Sequence, residues 1–340
     1  MRILSAGFAA VTDLGRFSGP SYGLSVNGAL DQLSARTANI LVGNHDNAPL
    51  IELTASELVF VCSNDQLIAV TGAAADVTVD GVSMPTHSPL SVRAGWTVAV
   101  RVLDSGLRSY VAVHGGLEAE MLLGSCAPDS MIGFGMRLGA GDEVAELGVC
   151  RPLSNPFLGG AVFTLDVPRT PYDRSSVVPV TDGPDLDEFG ASATLLYREQ
   201  YAVEARSNHV GLRLSGRPPH RESSAEVLSR GVPVGAIEVP STTDLLLLHR
   251  GRGVTAGYPV LAVVTGAGLD TVAQLRPGDV VRFRRTTLER AGRAHLERHL
   301  AVQRFRERCW NALAENGVDR LGVGDRSHPD RSHPDLISAV

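Results

Sequence analysis

Short apolar segments, each ended by a turn that contains Gly, recur along most of this 340-residue chain. Leu67–Val70 is such a segment, and residues 76–84 alternate in polarity around Asp80-Gly81, a pair typical of two-residue hairpin turns. Trp96–Leu103 and Arg108–His114 read as two further strands. Gly is frequent, at 36 residues, and aromatic residues make up only 5% of the chain, as expected for many short strands joined by tight turns. The sequence therefore predicts a mainly β fold.

One turn sequence recurs near the end of each half. Leu138-Gly139-Ala140-Gly141-Asp142 and Leu275-Arg276-Pro277-Gly278-Asp279 each precede a Val-rich segment. In the second, Pro at the first central position and Gly at the next suit a type II turn. Between the two halves, residues 150–180 are rich in Pro, which marks a connection. We therefore expect two related β domains, over residues 1–165 and 166–287.

Helices are expected to be few and short, apart from one at the C-terminus. Leu30, Leu33 and Ile40 follow helical spacing, with Gly43 suited to end that helix. Residues 288–316 are rich in Arg, Glu, Leu and Ala and are predicted to form an amphipathic helix. Its predicted apolar stripe is Leu296, Leu300, Phe305, Cys309 and Leu313. Residues 317–340 carry no apolar period and are predicted to be a disordered tail.

All 31 basic residues are Arg, and the chain has no Lys. This excludes a P-loop, whose Lys reaches the nucleotide phosphates, and any Schiff-base mechanism on a Lys. A net charge of −6 argues against a nucleic-acid binder. No apolar run is long enough to span a membrane, and no zinc-ligand spacing is present, so we expect a cytoplasmic protein without a metal site.

Two polar segments stand out as candidate site loops. The stretch 249–259, which contains Arg250 and Arg252 among several Gly, joins two apolar runs. Backbone N–H groups and guanidinium groups in such a loop can bind an anion. Asn208–Arg213 is a second candidate, and both segments are equally compatible with ordinary surface loops. On residue spacing alone, no reaction can be named.

Several motifs together resemble a known family. They are Asp13-Leu14-Gly15-Arg16, Ala38-Asn39-Ile40-Leu41-Val42-Gly43-Asn44, Tyr110-Val111-Ala112-Val113-His114-Gly115-Gly116 and Ala273-Gln274-Leu275-Arg276-Pro277-Gly278-Asp279. In these motifs the chain resembles the allophanate hydrolase subunit 2 family, also called the 5-oxoprolinase C-subunit family, which includes part of the carboxyltransferase region of urea carboxylase.

The resemblance implies two cyclophilin-like β-barrel domains and a partner, the smaller subunit 1, in a heterodimer or heterotetramer. It implies an ATP-dependent hydrolase that acts on the C–N amide bond of a lactam or ureido carboxylate and is active only with its partner. Two alternatives stay open. The chain could be the carboxyltransferase half of a biotin-dependent urea-type carboxylase, fed with carboxybiotin by a separate carrier, or a non-catalytic regulatory partner of subunit 1.

A cleft between the two barrels is the site that the resemblance implies. The predicted substrate-binding residues are Asn27, Asn44, Asn208, Arg213, Arg252 and Tyr258. The predicted catalytic residues are Asp31 and Thr255. The two Arg would hold a carboxylate or phosphate, and Asn27 and Asn44 would orient an amide. Asp31 would act as an acid or base, or fix the position of Asn44.

The sequence departs from the family pattern in three stretches, the first being Ala10-Val11-Thr12-Asp13, where the family usually has Thr-Val-Gln-Asp. Where the family has Asp-Arg-Gln-Thr-Thr-Gly-Gly-Tyr-Pro, this chain has Gly251-Arg252-Gly253-Val254-Thr255-Ala256-Gly257-Tyr258-Pro259. Where the family has Gly-Ala-Ile-Gln, this chain has Gly235-Ala236-Ile237-Glu238. If the loop lines the site, these changes alter the polarity available to a substrate.

Overall fold

Ten strands make up the first half of the molecule. A computed structural model of the chain describes residues 1–153, 155, 157–223, 226–240 and 244–318. The strands are β1 (Arg2–Ala6), β2 (Ala9–Thr12), β3 (Leu50–Thr54), β4 (Glu57–Val61), β5 (Gln66–Gly72), β6 (Ala75–Val79), β7 (Val82–Met84), β8 (Pro89–Val92), β9 (Thr97–Val102) and β10 (Arg108–Val113). They pair as two five-stranded sheets, in the orders β1-β4-β9-β6-β7 and β2-β3-β10-β5-β8.

The two sheets pack face to face over a shared apolar core that includes Phe60, Val70 and Val100. The second sheet is also covered on its outer face by helices, so every residue of β5 and β10 is buried. Burial on both faces explains why Leu67–Val70 is continuously apolar rather than alternating. The predicted hairpin at Asp80-Gly81 is confirmed, since both residues have positive φ and join β6 to β7.

Nine strands form the second half. They are β11 (Ser175–Asp182), β12 (Tyr201–Val203), β13 (Gly211–Ser215), β14 (Arg230–Gly231), β15 (Ala236–Glu238), β16 (Asp244–Leu248), β17 (Thr255–Ala256), β18 (Val260–Val264) and β19 (Val280–Arg285). Seven close a barrel in the order β11-β18-β15-β16-β13-β12-β19, while β14 and β17 pair separately. The mainly β fold is therefore confirmed, with a closed barrel in the second half and two packed sheets in the first.

Four α-helices lie among the described residues, with 3₁₀ segments at Gly19–Tyr22 and Leu186–Thr194. The helices are α1 (Gln32–Leu41), α2 (Leu195–Arg198), α3 (Gly266–Ala273) and α4 (Leu288–Glu315). Helix α1 packs on the outer face of the second sheet, and α4 packs on α1. No described helix combines the length and the apolar character needed to cross a membrane.

The predicted apolar stripe of α4 is correct in its C-terminal half only. Phe305, Cys309 and Leu313 are buried, but Leu296 and Leu300 are 53% and 46% exposed. The step from 300 to 305 is five residues, which turns the earlier pair away from the packed face. Val302 takes their place in the core.

The first two residues of the predicted tail, Gly317 and Val318, belong to the folded structure. Gly317 has φ +68°, and the backbone N–H of Val318 donates to the Leu313 carbonyl, which together end α4. The Val318 side chain is 5% exposed and belongs to the core beneath α4. The rest of the predicted tail, residues 319–340, lies outside the described residues.

One side chain of the second half ties the two halves together. Gln274, which follows α3, is 1% exposed. Its Oε1 accepts hydrogen bonds from the backbone N–H groups of Leu107 and Arg108, at 2.8 and 2.9 Å. Its Nε2 donates to Asp31 Oδ2 at 2.8 Å and to the Arg108 carbonyl at 3.0 Å. All of these partners belong to the first half, so the relative position of the halves is fixed at this point.

Candidate functional site

A cleft of about 520 Å³ lies where the two halves meet. The first half contributes residues of β2 and β3, the loop around Asn27 and the segment 128–138. The second half contributes the turn between β12 and β13, at Ser207–His209, and Gly251 in the loop after β16. A cleft between two rigid β units is a common position for a small-molecule site.

Asn27 occupies the wall of the cleft in a strained backbone conformation. Its φ is +52°, a region that few non-Gly residues adopt. The backbone N–H of Asn27 donates to the Arg250 carbonyl at 2.9 Å, and its Nδ2 donates to Asp129 Oδ2 at 2.9 Å. These bonds fix the side chain, and its Oδ1 accepts no hydrogen bond from the described residues. That oxygen is therefore available to an N–H group of a ligand.

Glu52 and Arg108 form a second polar wall, on neighbouring strands β3 and β10. Glu52 Oε2 accepts from the Tyr110 hydroxyl at 2.8 Å and from the Leu30 N–H at 3.1 Å. The Arg108 guanidinium lies 3.8 Å from Glu52 Oε1 and also donates to the Ala273 carbonyl of the second half. Arg108 Nε is buried and has no hydrogen-bond partner among the described residues.

His209 faces this wall from the second half. Its Nε2 lies 3.4 Å from Ser130 Oγ, across the cleft. Burial lowers the pKa of His209 below its ordinary value, and the nearby charges of Arg137 and Arg108 lower that pKa further. At neutral pH the imidazole is therefore uncharged and can accept a proton or a hydrogen bond.

Gly251 allows the loop after β16 to approach His209 closely. A Cβ at position 251 would overlap His209 Cδ2 and lie 2.8 Å from the His209 carbonyl oxygen. The Gly251 N–H donates to that same carbonyl at 3.1 Å. The resemblance expects Asp at this position, and here the His209 ring occupies the space that its side chain would need.

The cleft can bind a small molecule that carries both a carboxylate and an amide. Arg137 lines it, is exposed and makes no hydrogen bond or ion pair with the described residues. A free guanidinium can bind a carboxylate through two parallel hydrogen bonds. Asn27 and Asn208 offer amide groups, and His209 offers a neutral base. The arrangement suits proton transfer at an oriented amide.

Asn27 and Asn208 are the two predicted site residues that line this cleft. Asp31 does not, because it is fully buried as the N-terminal cap of α1. Its carboxylate accepts hydrogen bonds from the backbone and side chain of Ser34, from Thr170 Oγ1 and from Gln274 Nε2. With both oxygens occupied and no contact to Asn44, Asp31 has a structural environment rather than that of an acid or base.

Asn44 is also held within the fold. Its Nδ2 donates to Asn39 Oδ1 and to the Val113 carbonyl, and its Oδ1 accepts from the Gly115 N–H at 2.7 Å. With both ends of its amide engaged and 3% exposure, it cannot orient a substrate. Its sequence motif is therefore explained by the packing of α1 against the end of β10.

The remaining four predicted residues belong to the second half and do not line the cleft. Arg213 is on β13, and Thr255 is on β17, paired with Gly231 of β14. Arg252 is 6% exposed and donates from Nε to the Val232 carbonyl at 2.9 Å. Tyr258 is 46% exposed on the loop that follows β17. The loop 249–259 thus reaches the cleft through Gly251 alone.

Sequence reasoning missed Glu52, Arg108, Ser130, Arg137 and His209 as members of one site. One signal was present in the sequence, since His209 adjoins Asn208 in the candidate segment Asn208–Arg213. Arg108 and Arg137 come from segments without a distinctive motif, so only the tertiary fold reveals them.

Comparison with known proteins gives the chain its relatives. The family model described as the carboxyltransferase domain, subdomain A and B, matches residues 22–285. The chain is 30% identical over 319 residues to the C-subunit of 5-oxoprolinase from Escherichia coli, with 93% of this chain and 100% of that protein covered. It is also 30% identical over 285 residues to urea amidolyase of Saccharomyces cerevisiae, covering 77% of this chain but only 15% of that protein.

Two solved structures resemble this one. The structure of a protein named TTHA0988 has 30% sequence identity and a TM-score of 0.72, and 84% of this chain spans 57% of that chain. The urea carboxylase of Kluyveromyces lactis has 24% identity and a TM-score of 0.77, with 89% of this chain and 28% of that chain covered. The second likeness concerns the fold alone.

Proposed function

The chain belongs to the family of the carboxyltransferase domain, subdomains A and B, and from that premise we propose that it is one subunit of a two- or three-component amidohydrolase of the 5-oxoprolinase type. Its substrate is a small lactam or ureido carboxylate, bound in the cleft between the halves. The hydrolysed bond is the C–N amide bond, and turnover depends on ATP and on the smaller subunit.

The observation that carries this proposal is the grouping of Arg137, His209, Asn27 and Asn208 around one cleft. A lactam carboxylate presents an anion and an amide on one small ring, and these side chains match both. Arg137 binds the carboxylate, and Asn27 Oδ1 accepts a hydrogen bond from the lactam N–H. Neutral His209 takes a proton from the attacking water, and its imidazolium form then returns that proton to the nitrogen as the C–N bond breaks.

ATP does not fit this cleft well. Of its two guanidinium groups, Arg108 is engaged with the Ala273 carbonyl, which leaves Arg137 for a single anionic group. We therefore assign the cleft to the amide substrate and derive no step through ATP there.

The rim of the cleft offers a face for the smaller subunit. Phe8 lines the cleft, Met131 follows the lining residue Ser130, and Phe17 and Tyr22 belong to the segment after Arg16. These four side chains are 57% to 81% exposed, and we call them the apolar rim. Arg16 holds the segments of the rim together by donating to the Leu122 and Ala127 carbonyls. Exposed apolar side chains of this size are typical of a protein interface. A subunit bound there would cover the cleft and exclude water from it.

A carboxyltransferase is the second candidate, favoured by the likeness to urea amidolyase. In that reaction the same amide and guanidinium groups would bind a urea-like acceptor, and carboxybiotin from a separate carrier would supply the carboxyl group. A non-catalytic regulatory partner of the smaller subunit is the third, and the loss of the family Asp at Gly251 is the observation in its favour.

The test is to purify the complex with the smaller subunit and measure ATP hydrolysis with 5-oxoproline, allophanate and urea. The proposal expects lactam-dependent phosphate release. Arg137→Ala should raise KM about tenfold or more, since it removes a charge-assisted contact to the carboxylate. His209→Ala should lower kcat. Arg284→Ala, an exposed Arg on β19, is the matched control and should change neither.

Other outcomes discriminate among the candidates. Carboxylation of urea by carboxybiotin without lactam turnover would favour the second candidate. A stable complex that is inactive with every substrate would favour the third. For the partner face, Met131→Asp should abolish the complex, whereas Leu228→Asp, which changes an equally exposed side chain of the second half, should not.

A further inference from the structure

A second cavity, of about 290 Å³, lies between α1, the start of α3 and the N-terminal half of α4. Four arginines line it: Arg36, Arg250, Arg298 and Arg306. It is separate from the cleft, but the two share a wall. The Arg250 side chain lines this cavity, whereas the next residue, Gly251, lines the cleft.

Helix α4 changes character along the face that it turns toward the body of the protein. Phe305, Cys309 and Leu313 fill the apolar core in its C-terminal half. About two to three turns before Phe305, the same side of the helix presents His295, His299 and Arg298 to the cavity. The helix therefore packs at one end and lines a charged cavity at the other.

Three of the four arginines already have carboxylate partners. Arg36 and Arg306 both pair with Asp46, at 2.8 and 2.6 Å, and Arg298 pairs with Asp270. The cavity thus holds four guanidinium groups against two carboxylates, which leaves two positive charges uncompensated.

Arg250 is the unpaired member of the set. No described side chain or carbonyl accepts a hydrogen bond from its guanidinium, and its Nε is buried without a partner. Burial lowers the pKa of Arg250 from its ordinary value, which shows that the charged form is poorly solvated there. Asp270 is near enough to act on the Arg250 charge but accepts no hydrogen bond from it. A buried guanidinium without a hydrogen-bond partner is destabilising, so its presence points to an anion that completes it.

We propose that this cavity, which we call the arginine cavity, is a binding site for a phosphate dianion, either free phosphate or the phosphate group of a small monoester. Guanidinium groups from three separate elements converge, namely α1, α4 and the loop after β16, and a phosphate has more terminal oxygens than a carboxylate with which to accept from several of them at once. A phosphate group also carries nearly two negative charges at neutral pH, which matches the excess of two positive charges among the side chains that line the cavity. The backbone of Gly266, at the start of α3, lines the same cavity and adds the positive end of a helix.

The site is independent of the amide substrate proposed for the cleft. It is nevertheless placed to affect that cleft, because the Arg250 carbonyl accepts the hydrogen bond from the Asn27 N–H that fixes Asn27 in the cleft wall. A ligand that draws the Arg250 side chain toward the cavity therefore acts on the wall between the two sites.

The experiment is a thermal-unfolding and calorimetric titration of the full chain with inorganic phosphate at constant ionic strength. We expect saturable binding and a melting temperature that rises with phosphate concentration. Arg250→Met should weaken binding about tenfold or more, yet the ligand-free variant should be at least as stable as the wild type, because the unpaired charge is gone. Arg304→Ala, on the exposed side of α4, should bind phosphate like the wild type.

Glycerol 3-phosphate and AMP distinguish the sources of the phosphate. Tighter binding of either than of inorganic phosphate identifies a monoester, and equal or weaker binding identifies free phosphate. Malonate that binds as tightly as phosphate, or phosphate binding unchanged in Arg250→Met, overturns the proposal. If Arg250→Met does not fold, His295→Ala provides the same test, with reduced phosphate affinity expected and unchanged affinity refuting the site.

Discussion

A substitution of Glu238 tests how the burial of a carboxyl group affects the stability of the barrel. It lies on β15, is 1% exposed, and its Oε1 has no hydrogen-bond partner among the described residues. Burial raises the pKa of Glu238 from 4.5 to about 7, an effect only partly offset by Arg230. We predict that Glu238→Gln, which restores the family residue, stabilises the protein above neutral pH.

The size and sign of the effect follow from proton linkage. In the unfolded chain Glu238 loses its proton near pH 4.5, whereas in the folded chain it keeps the proton until about pH 7. Between these values the folded state binds more protons, so the free energy of unfolding falls by about 1.4 kcal/mol per pH unit as pH rises. The total loss of stability is about 3 kcal/mol. It is fully present above the pKa that Glu238 has in the folded protein and absent below the pKa that it has in the unfolded chain.

Urea unfolding of the wild type and of Glu238→Gln, measured from about pH 4 to about pH 8.5, is the assay. The two proteins should have similar free energies of unfolding near pH 4. As the pH rises from there to about 7, the variant should become the more stable protein, and the difference should be constant above pH 7. Glu120→Gln, at an exposed position, is the control and should show no such divergence. A difference that does not depend on pH would refute the argument.

Three further substitutions test the packing around the sites. Gly251→Ala should lower the free energy of unfolding by about 1–3 kcal/mol, because the new Cβ would overlap the His209 ring. The displaced ring should show a shifted imidazole NMR signal, and an unshifted signal would contradict this prediction. Gln274→Ala should lower the free energy of unfolding by about 1–3 kcal/mol, as measured by thermal unfolding, since it leaves buried polar groups of the first half without hydrogen-bond partners. An unchanged melting temperature would contradict this prediction and show that water replaces the amide. Phe305→Ala should lower the free energy of unfolding by about 3–5 kcal/mol, because the Phe305 side chain packs α4 into the core. Leu300→Ala, at an exposed position on the same helix, should lower it little. Equal losses of stability in the two variants would contradict the packing described for α4.

Elements encoded by local sequence were predictable. The Asp80-Gly81 hairpin depends on two adjacent residues that tolerate positive φ, and α1 depends on its own apolar spacing and on its cap. The C-terminal helix was placed correctly for the same reason. The predicted apolar stripe was wrong in its first half, because the five-residue step from Leu300 to Phe305 turns Leu296 and Leu300 away from the packed face.

The site was only partly predictable, for a different physical reason. The residue type of Asp31 suits a catalytic acid, and its position before α1 suits a helix N-cap. The sequence alone does not decide between these two roles. The hydrogen bonds from Thr170 and Gln274 that decide the matter come from residues far along the chain. Arg137 and His209 likewise belong to one cleft only because the two halves dock as they do.

The bonds of Gln274 limit how this molecule can move. Swinging the barrel away from the first half would break all four hydrogen bonds of one buried amide and expose their partners, at a cost of several kcal/mol. Hinge opening between the halves is therefore a poor route for a ligand to reach the cleft. Access is easier through the loops that form its outer edge, around Ser130 and Arg137, while the two halves behave as a single body and unfold together.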